Sequence, residues 1–411
     1  MIHRPLINVA VETVMAIFRD GHMADRAIER ALRSDRRLGA RDRRFIAETV
    51  YDVTRWWRRL NWMLGAPERG CCPGVDENLS KNTTEEIVKL QVALQASQPL
   101  PEWFGISESQ VQSWREQWRQ VVSEDTIEHS LPDWLEALGK EELQSQWPSM
   151  IHALNRPAPV FLRTNSLKMK REELSQLLAQ EGVQTEPLSE NDIGLQLTER
   201  KNVFATKVFL NGGFEVQDGG SQQIASLLQP EPGERIIDAC AGAGGKTLHL
   251  AALMKNRGKI IALDVQERKL TELRLRAKRA GADIIESRLI ESRKVIKRLQ
   301  DSADRVLLDV PCTGSGVWRR NPDNRWRITA EEMKRLHALQ YEILNEYSRM
   351  VKPGGVVVYA TCSIWPSENQ NQVQSFLLKG DNQFTLEKEL YISPVHSPFD
   401  GFYAARLKRR Q

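Results

Sequence analysis

Residues 238–247 read "DACAGAGGKT", and what this loop holds decides the reading of the chain. A glycine-rich run ending in Gly-Lys-Thr suggests a phosphate cradle. That template needs a glycine five positions before the glycine of Gly-Lys-Thr, so that successive amides close into a nest. The later glycine is Gly245, and five positions before it stands Cys240. The phosphate template therefore fails at one residue. A dinucleotide loop fits as poorly, because Gly242 and Gly244 are followed by Thr247 where the third glycine of G-x-G-x-x-G belongs. The flanks are more telling. "GERIIDA" (233–239) is a short apolar strand, and "KTLHLAALM" (246–254) has helix composition. Strand, glycine turn and helix make the first unit of a doubly wound sheet, whose ligands sit at the carboxyl ends of the strands. Three glycines without bulky neighbours favour close backbone approach to a ligand.

Outward from the loop, strand and helix alternate. Strands are expected at "RIIDA", "KIIALD", "DIIESRLI", "RVLLDV" and "GVVVYATC", with helices at "KTLHLAALM", "VQERKLTELRLRAKRAG" and "TAEEMKRLHALQYEILNEYSRMV". This alternation implies a parallel sheet. Upstream, "KREELSQLLAQEG" reads as a helix ended by Gly182, between short β segments that run from Val160 to "GGFEVQDGGSQ". The first 150 residues read as helical. Ile7, Val11, Val14, Met15 and Phe18 mark one face, and Phe45, Ile46, Val50, Val53 and Trp57 mark a second. "SLPDWLEALG" reads as a short helix capped by Ser130 or Asp133. The expected division is a helical domain over 1–150, a small α+β domain over 155–215 and an α/β domain over 216–411.

At 411 residues the chain exceeds one ordinary core. A hydrophobic content of 41% with mixed charge indicates a globular protein, and no apolar run approaches the ~20 residues of a bilayer span. Five cysteines without a secretory signal point to free thiols in a reducing compartment, hence a cytoplasmic location. No C-x-x-C pair occurs and the seven histidines are scattered, so no metal is expected. The net charge of +4 is unevenly spread. "RSDRRLGARDRR" (33–44) with Arg55, Arg58 and Arg59, the stretch "QERKLTELRLRAKRAG" and the tail "RLKRRQ" are basic. This pattern suits a polyanion, though arginine-rich helices are often only solvated faces.

Three strand ends carry candidate chemistry. Asp264 closes the second strand, where an acid commonly accepts hydrogen bonds from ribose hydroxyls; a helix-capping role is the alternative. "LLDVPCTGSG" places Asp309 and Cys312 where the fourth strand becomes a loop, and "YATCS" places Cys362 on the same edge of the neighbouring strand. A free cysteine is usually a small buried hydrophobe, but two at adjacent strand ends beside a glycine loop are less easily dismissed. Trp318, Arg319, Arg320, Arg325 and Trp326 follow Cys312. Arginines hold phosphates and tryptophans stack on bases, while a loop packed by tryptophan is the plainer reading.

Residues 155–411 resemble the RsmB/Sun family of RNA cytosine-5 methyltransferases. The resemblance rests on "DACAGAGGKT", "LLDVPCTGSGVWRRNPDNRW", "VKPGG" and "YATCSIWPSENQNQV", with "LRTN" and "VQDGGSQ" matching that family's small RNA-binding domain. The N-terminal part resembles its NusB-like domain more loosely. The resemblance implies a Rossmann-like class I methyltransferase sheet, preceded by an RRM-like α+β domain and an all-helical NusB-like domain. It implies S-adenosyl-L-methionine as cofactor, contacted by Cys240, Ala241, Gly242, Ala243, Gly244, Gly245, Lys246, Asp264 and Asp309. It also implies Cys362 as nucleophile, Cys312 as the residue assisting product release, and an RNA substrate, 16S ribosomal RNA first and tRNA second. Asp309 would stabilise the adduct by meeting N3 or the exocyclic amine. Arg319, Arg320 and Arg325 are expected to contact RNA, and a monomer with no membrane or metal partner is expected. One departure stands out: the family has an acid closing the third strand, where this chain has Ile290, with Glu291 as a substitute one residue on. A non-catalytic RNA-binding factor is the alternative this departure motivates.

Overall fold

Short runs of isoleucine, valine and leucine build the larger of two sheets, because strands covered by helices on both faces bury every side chain. The computed structural model describes residues 3–35, 37–379 and 383–411. It divides into two units, one comprising 1–156 with 317–332 and the other 157–316 with 333–411.

The second unit begins with a small antiparallel sheet of β1 (Phe161–Thr164), β2 (Thr185–Pro187), β3 (Gly194–Leu197) and β4 (Phe214–Val216), ordered β2-β3-β1-β4. Helix Arg171–Gln180 packs on it through Leu174 and Leu178, and Gly182 leaves the helix with φ +76°. The large sheet follows: β5 (Arg235–Asp238), β6 (Lys259–Asp264), β7 (Ile285–Leu289), β8 (Ala303–Asp309), β9 (Val351–Thr361), β10 (Phe384–Ile392) and β11 (Phe402–Arg409). Its order is β10-β11-β9-β8-β5-β6-β7, parallel from β7 to β9 and antiparallel at β11 and β10. The order reverses direction at β5, which lies between β6 and β8. The crevice at the carboxyl ends of β5 and β8 is thus the switch point where ligands of such sheets bind. This is the Rossmann-like α/β class expected from the sequence.

Two strands lay outside the sequence reading. The tail "RLKRRQ" looked like a basic arm, yet its residues 406–409 end β11, between β9 and β10. Phe402 to Ala405 and Leu407 are buried, while Arg406 pairs with Glu387 and Arg409 with Asp301. Packing on two neighbours outweighs the charge of the alternate positions.

The helical unit corrects other expectations. The Ile7, Val11, Val14, Met15 and Phe18 face lies on helix Arg4–Phe18 and is buried. The helix Asp133–Leu143 has no side-chain cap; Ser130 Oγ instead accepts from the Arg58 amide at 3.1 Å. Arg55, Arg58 and Arg59, counted above among residues suited to a polyanion, are buried and paired with Asp52, Asp133 with Glu124, and Glu128 respectively. They are internal ties. Arg33, Arg37 and Arg44 do remain on the surface, and Arg36 lies outside the described residues.

Segment 317–332 belongs to this helical unit although it follows the β8 loop in sequence. Trp326 Nε1 donates to the Thr54 carbonyl at 2.6 Å, Asp323 accepts from the Ala24 amide at 3.1 Å, and Arg325 donates to Asn155 Oδ1 at 2.6 Å. Arg325 is completely buried, near the Trp318 ring, and burial lowers its pKa to about 9. Trp318 and Arg319 are buried as well. The expectation that Arg325 meets RNA is therefore corrected, because a guanidinium without solvent access cannot reach a phosphate, and Arg319, only 8% exposed, is packed inside the same unit. Arg320 is half-buried. Removing one partner of a buried charge leaves the other unpaired. Asn155→Leu is accordingly expected to destabilise the protein by about 3 kcal/mol, read as a lower midpoint in denaturant unfolding.

Candidate active site

The glycine loop starts where β5 stops. Gly242 and Gly244 have φ of +54° and +87°, values that L side chains adopt at a cost. A side chain on Gly244 would also meet Leu273 Cγ at 2.7 Å. The turn therefore needs glycine for both backbone and space. It leads into the N-terminus of helix Gly245–Leu253, the positive end of its dipole. Asp264, at the end of β6, is buried. One of its oxygens accepts from the Gly242 amide at 2.9 Å and the other from the Gln266 amide at 2.8 Å. Each oxygen keeps a lone pair for a diol. The carboxylate thus ties the loop to β6 and faces the switch point.

Two further groups end on this edge. Asp309, at the end of β8, accepts from Lys246 Nζ at 2.7 Å. Burial opposes the Lys246 charge, but attraction to Asp309 and their hydrogen bond outweigh it and raise its pKa; the Cys362 sulfur adds to the same pull. Cys312, three residues after Asp309, places its Sγ 3.4 Å from Cys362 Sγ, just past the end of β9. The sequence reading of two thiols meeting across adjacent strands is thus met in space. The sulfur–sulfur hydrogen bond, and then burial, push the Cys312 thiol well above its ordinary range. Cys240 is pushed well above its range too, by burial and then by Asp238, Asp309 and Asp264. It is neutral and packs against the core of the large sheet.

Several supports escaped the sequence reading. Asp238, buried beneath the loop, accepts from Thr247 Oγ1 at 2.7 Å, and burial raises its pKa to about 7. Arg163, in the "LRTN" stretch of β1, is buried and donates to the Gly245 carbonyl at 2.6 Å and to Gln217. Asn165 Nδ2 donates to the carbonyls of Gly212 and Ala280 at 2.9 and 2.8 Å, and Glu215 of β4 pairs with Arg276 and Arg279. The small sheet is thereby pinned to the glycine loop and the next helix. At the end of β7 no acid stands. Ile290 packs against the sheet core and Glu291 is exposed.

A sequence profile described as 16S rRNA methyltransferase RsmB/F matches residues 225–408. A second, described as the ferredoxin-like domain of RsmF/B-like methyltransferases, matches residues 131–204. Ribosomal RNA small subunit methyltransferase B of Pasteurella multocida is 36% identical over 310 residues, covering 72% of this chain and 69% of that protein. A probable ribosomal RNA small subunit methyltransferase B of Synechocystis is 32% identical and covers 95% of this chain and 96% of that protein. The chain belongs to the RsmB/F family of RNA methyltransferases. Among solved structures, that of PH0851 superposes with a TM-score of 0.83 at 26% identity over 100% of this chain and 99% of that one. A methyltransferase homologue from Pyrococcus horikoshii gives 0.62 at 28% identity over 69% and 97%. Membership of the family makes S-adenosylmethionine the cofactor, and the slot between the glycine loop, Asp264 and Asp309 is where these residues would hold it. Among the described residues no acid, histidine and cysteine cluster suits a metal ion, and no helix is long and apolar enough to cross a membrane.

Proposed function

We propose that the protein methylates C5 of a cytosine in small-subunit ribosomal RNA through a covalent adduct between Cys362 and C6 of the base. The observation that carries this reading is the pair of sulfurs 3.4 Å apart beside the Lys246–Asp309 ion pair. When bound, S-adenosylmethionine supplies an electrophilic sulfonium methyl. C5 of cytosine is too weak a nucleophile to take it unaided. Addition of the Cys362 thiolate to C6 makes C5 enamine-like and able to attack. The nucleophile must be a thiolate, and the Lys246 ammonium is the positive charge that the site offers it. Addition at C6 leaves negative charge on the ring; Asp309, placed by Lys246, accepts from the exocyclic amine, and the Lys246 ammonium offsets the charge on the adduct. Once Cys362 is bound in a C–S bond, the sulfur–sulfur hydrogen bond to Cys312 is gone, and Cys312, once deprotonated, takes the C5 proton so that Cys362 can be eliminated. The base must leave its stack to reach two strand-end sulfurs.

The test is the product. Incubation with labelled cofactor and small-subunit ribosomal RNA is expected to give 5-methylcytidine on nucleoside digestion, and bisulfite sequencing locates it. Label on any other nucleoside, or none in cytosine, overturns the reading.

A further inference from the structure

Glu368 takes no part in the chemistry above, yet it is the one completely buried carboxylate that gathers both thiol-bearing loops among the described residues. Its Oε1 accepts from the Thr313 amide and from Gln340 Nε2, both at 2.9 Å. Its Oε2 accepts from Thr313 Oγ1 at 2.6 Å and Ser363 Oγ at 2.5 Å. Thr313 adjoins Cys312 and Ser363 adjoins Cys362, so one carboxylate holds the backbone on either side of the sulfur pair. Gln340 extends the tie by donating to the Pro311 carbonyl at 2.9 Å, before Cys312. The Glu368 carbonyl accepts from Tyr359 OH at 2.7 Å, which anchors the clip to β9 itself. Ser315 Oγ, 3.1 Å from Ser363 Oγ, and the Gly316 amide, 3.0 Å from the Cys362 carbonyl, close the same frame. Four donors on one buried carboxylate satisfy it fully, and such a network has no slack.

We infer that Glu368 is a positioning residue that sets the separation of Cys312 and Cys362 and so couples adduct formation to its release. The inference rests on the reading that both thiols serve one base. Its role is geometric rather than electrostatic. Two of its donors are obligate and both face Oε1, while the two facing Oε2 are hydroxyls that can turn and accept. Glutamine therefore satisfies the same frame, with its amide oxygen on Thr313 and Gln340 and its NH2 on the two hydroxyls.

The experiment combines turnover with a sulfur-closure assay. A small aromatic disulfide exchanges with one thiol, and the second thiol displaces the cap to give the internal disulfide. Each step releases one aromatic thiol, and peptide mass spectrometry separates the 312–362 pair from Cys71 and Cys72. Glu368→Ala is expected to lower kcat about 100-fold with KM for the cofactor unchanged, since a shift of about 1 Å at reacting atoms costs that much. The same variant should close the 312–362 disulfide at least about tenfold more slowly. Glu368→Gln should restore both readouts to within about fivefold. If Glu368→Ala does not fold, Thr313→Val and Ser363→Ala each remove one hydroxyl at nearly constant volume and should move both readouts part of the way. Wild-type closure and kcat in folded Glu368→Ala overturn the inference, as does a Glu368→Gln enzyme as slow as the alanine variant. Closure needs neither RNA nor cofactor. Slowed closure in Glu368→Ala and its rescue in Glu368→Gln, together with an active Cys362→Ala enzyme, would sink the adduct reading and leave standing the clip's control of the sulfur separation.

Discussion

Cys362→Ala is expected to lose methyl transfer by roughly four orders of magnitude or more, the scale on which removal of a nucleophile acts. Without the C–S bond the cytosine ring stays aromatic, and neither Asp309 nor Lys246 can polarise C5 enough to attack a methyl group. The remaining geometry is untouched. Cys362 is partly exposed at the end of β9, so alanine there removes a sulfur without opening the core. Cofactor affinity by calorimetry should therefore stay within about twofold, because the Asp264 and glycine-loop contacts are intact. The measurement is transfer of labelled methyl to ribosomal RNA. Near-normal transfer would remove Cys362 from its assigned role.

Cys312→Ala is expected to fail later in the cycle. The Cys362 thiolate can still add and the methyl can still move, but the C5 proton has lost its acceptor 3.4 Å from the attacking sulfur. Turnover should drop about 1000-fold, within the range for loss of a general base. More distinctively, RNA should remain attached to the protein through denaturing electrophoresis, only in the presence of cofactor, and not in the Cys312→Ala/Cys362→Ala double variant. Unimpaired turnover without any retained RNA would show that Cys312 does not serve elimination.

The two variants separate because the two sulfurs act at different steps, and their closeness is a tertiary property. In the sequence, Cys312 and Cys362 are equivalent: each ends a strand and each has polar neighbours. Only the parallel pairing of β8 with β9 brings them together.

From residue order alone came the alternation that makes a parallel sheet, the glycine turn that excludes a phosphate nest, and the strand-end positions of Asp264, Asp309, Cys312 and Cys362. These features are legible because they are local: apolar period, turn chemistry and position at a strand end depend on neighbours within a few residues. What depended on distant partners was not. The basic tail became strand β11 because β9 and β10 flank it. Arg325, which looked like a phosphate ligand, became a core residue because Asn155 and the helical unit surround it. Glu368 sat unremarked inside "SENQNQV" because a carboxylate announces a buried role only when Thr313, Ser363 and Gln340 converge on it from three separate stretches of chain. Charge in a sequence is a count; whether it faces water or a partner is settled by packing, since burial makes an unpaired charge too costly to keep.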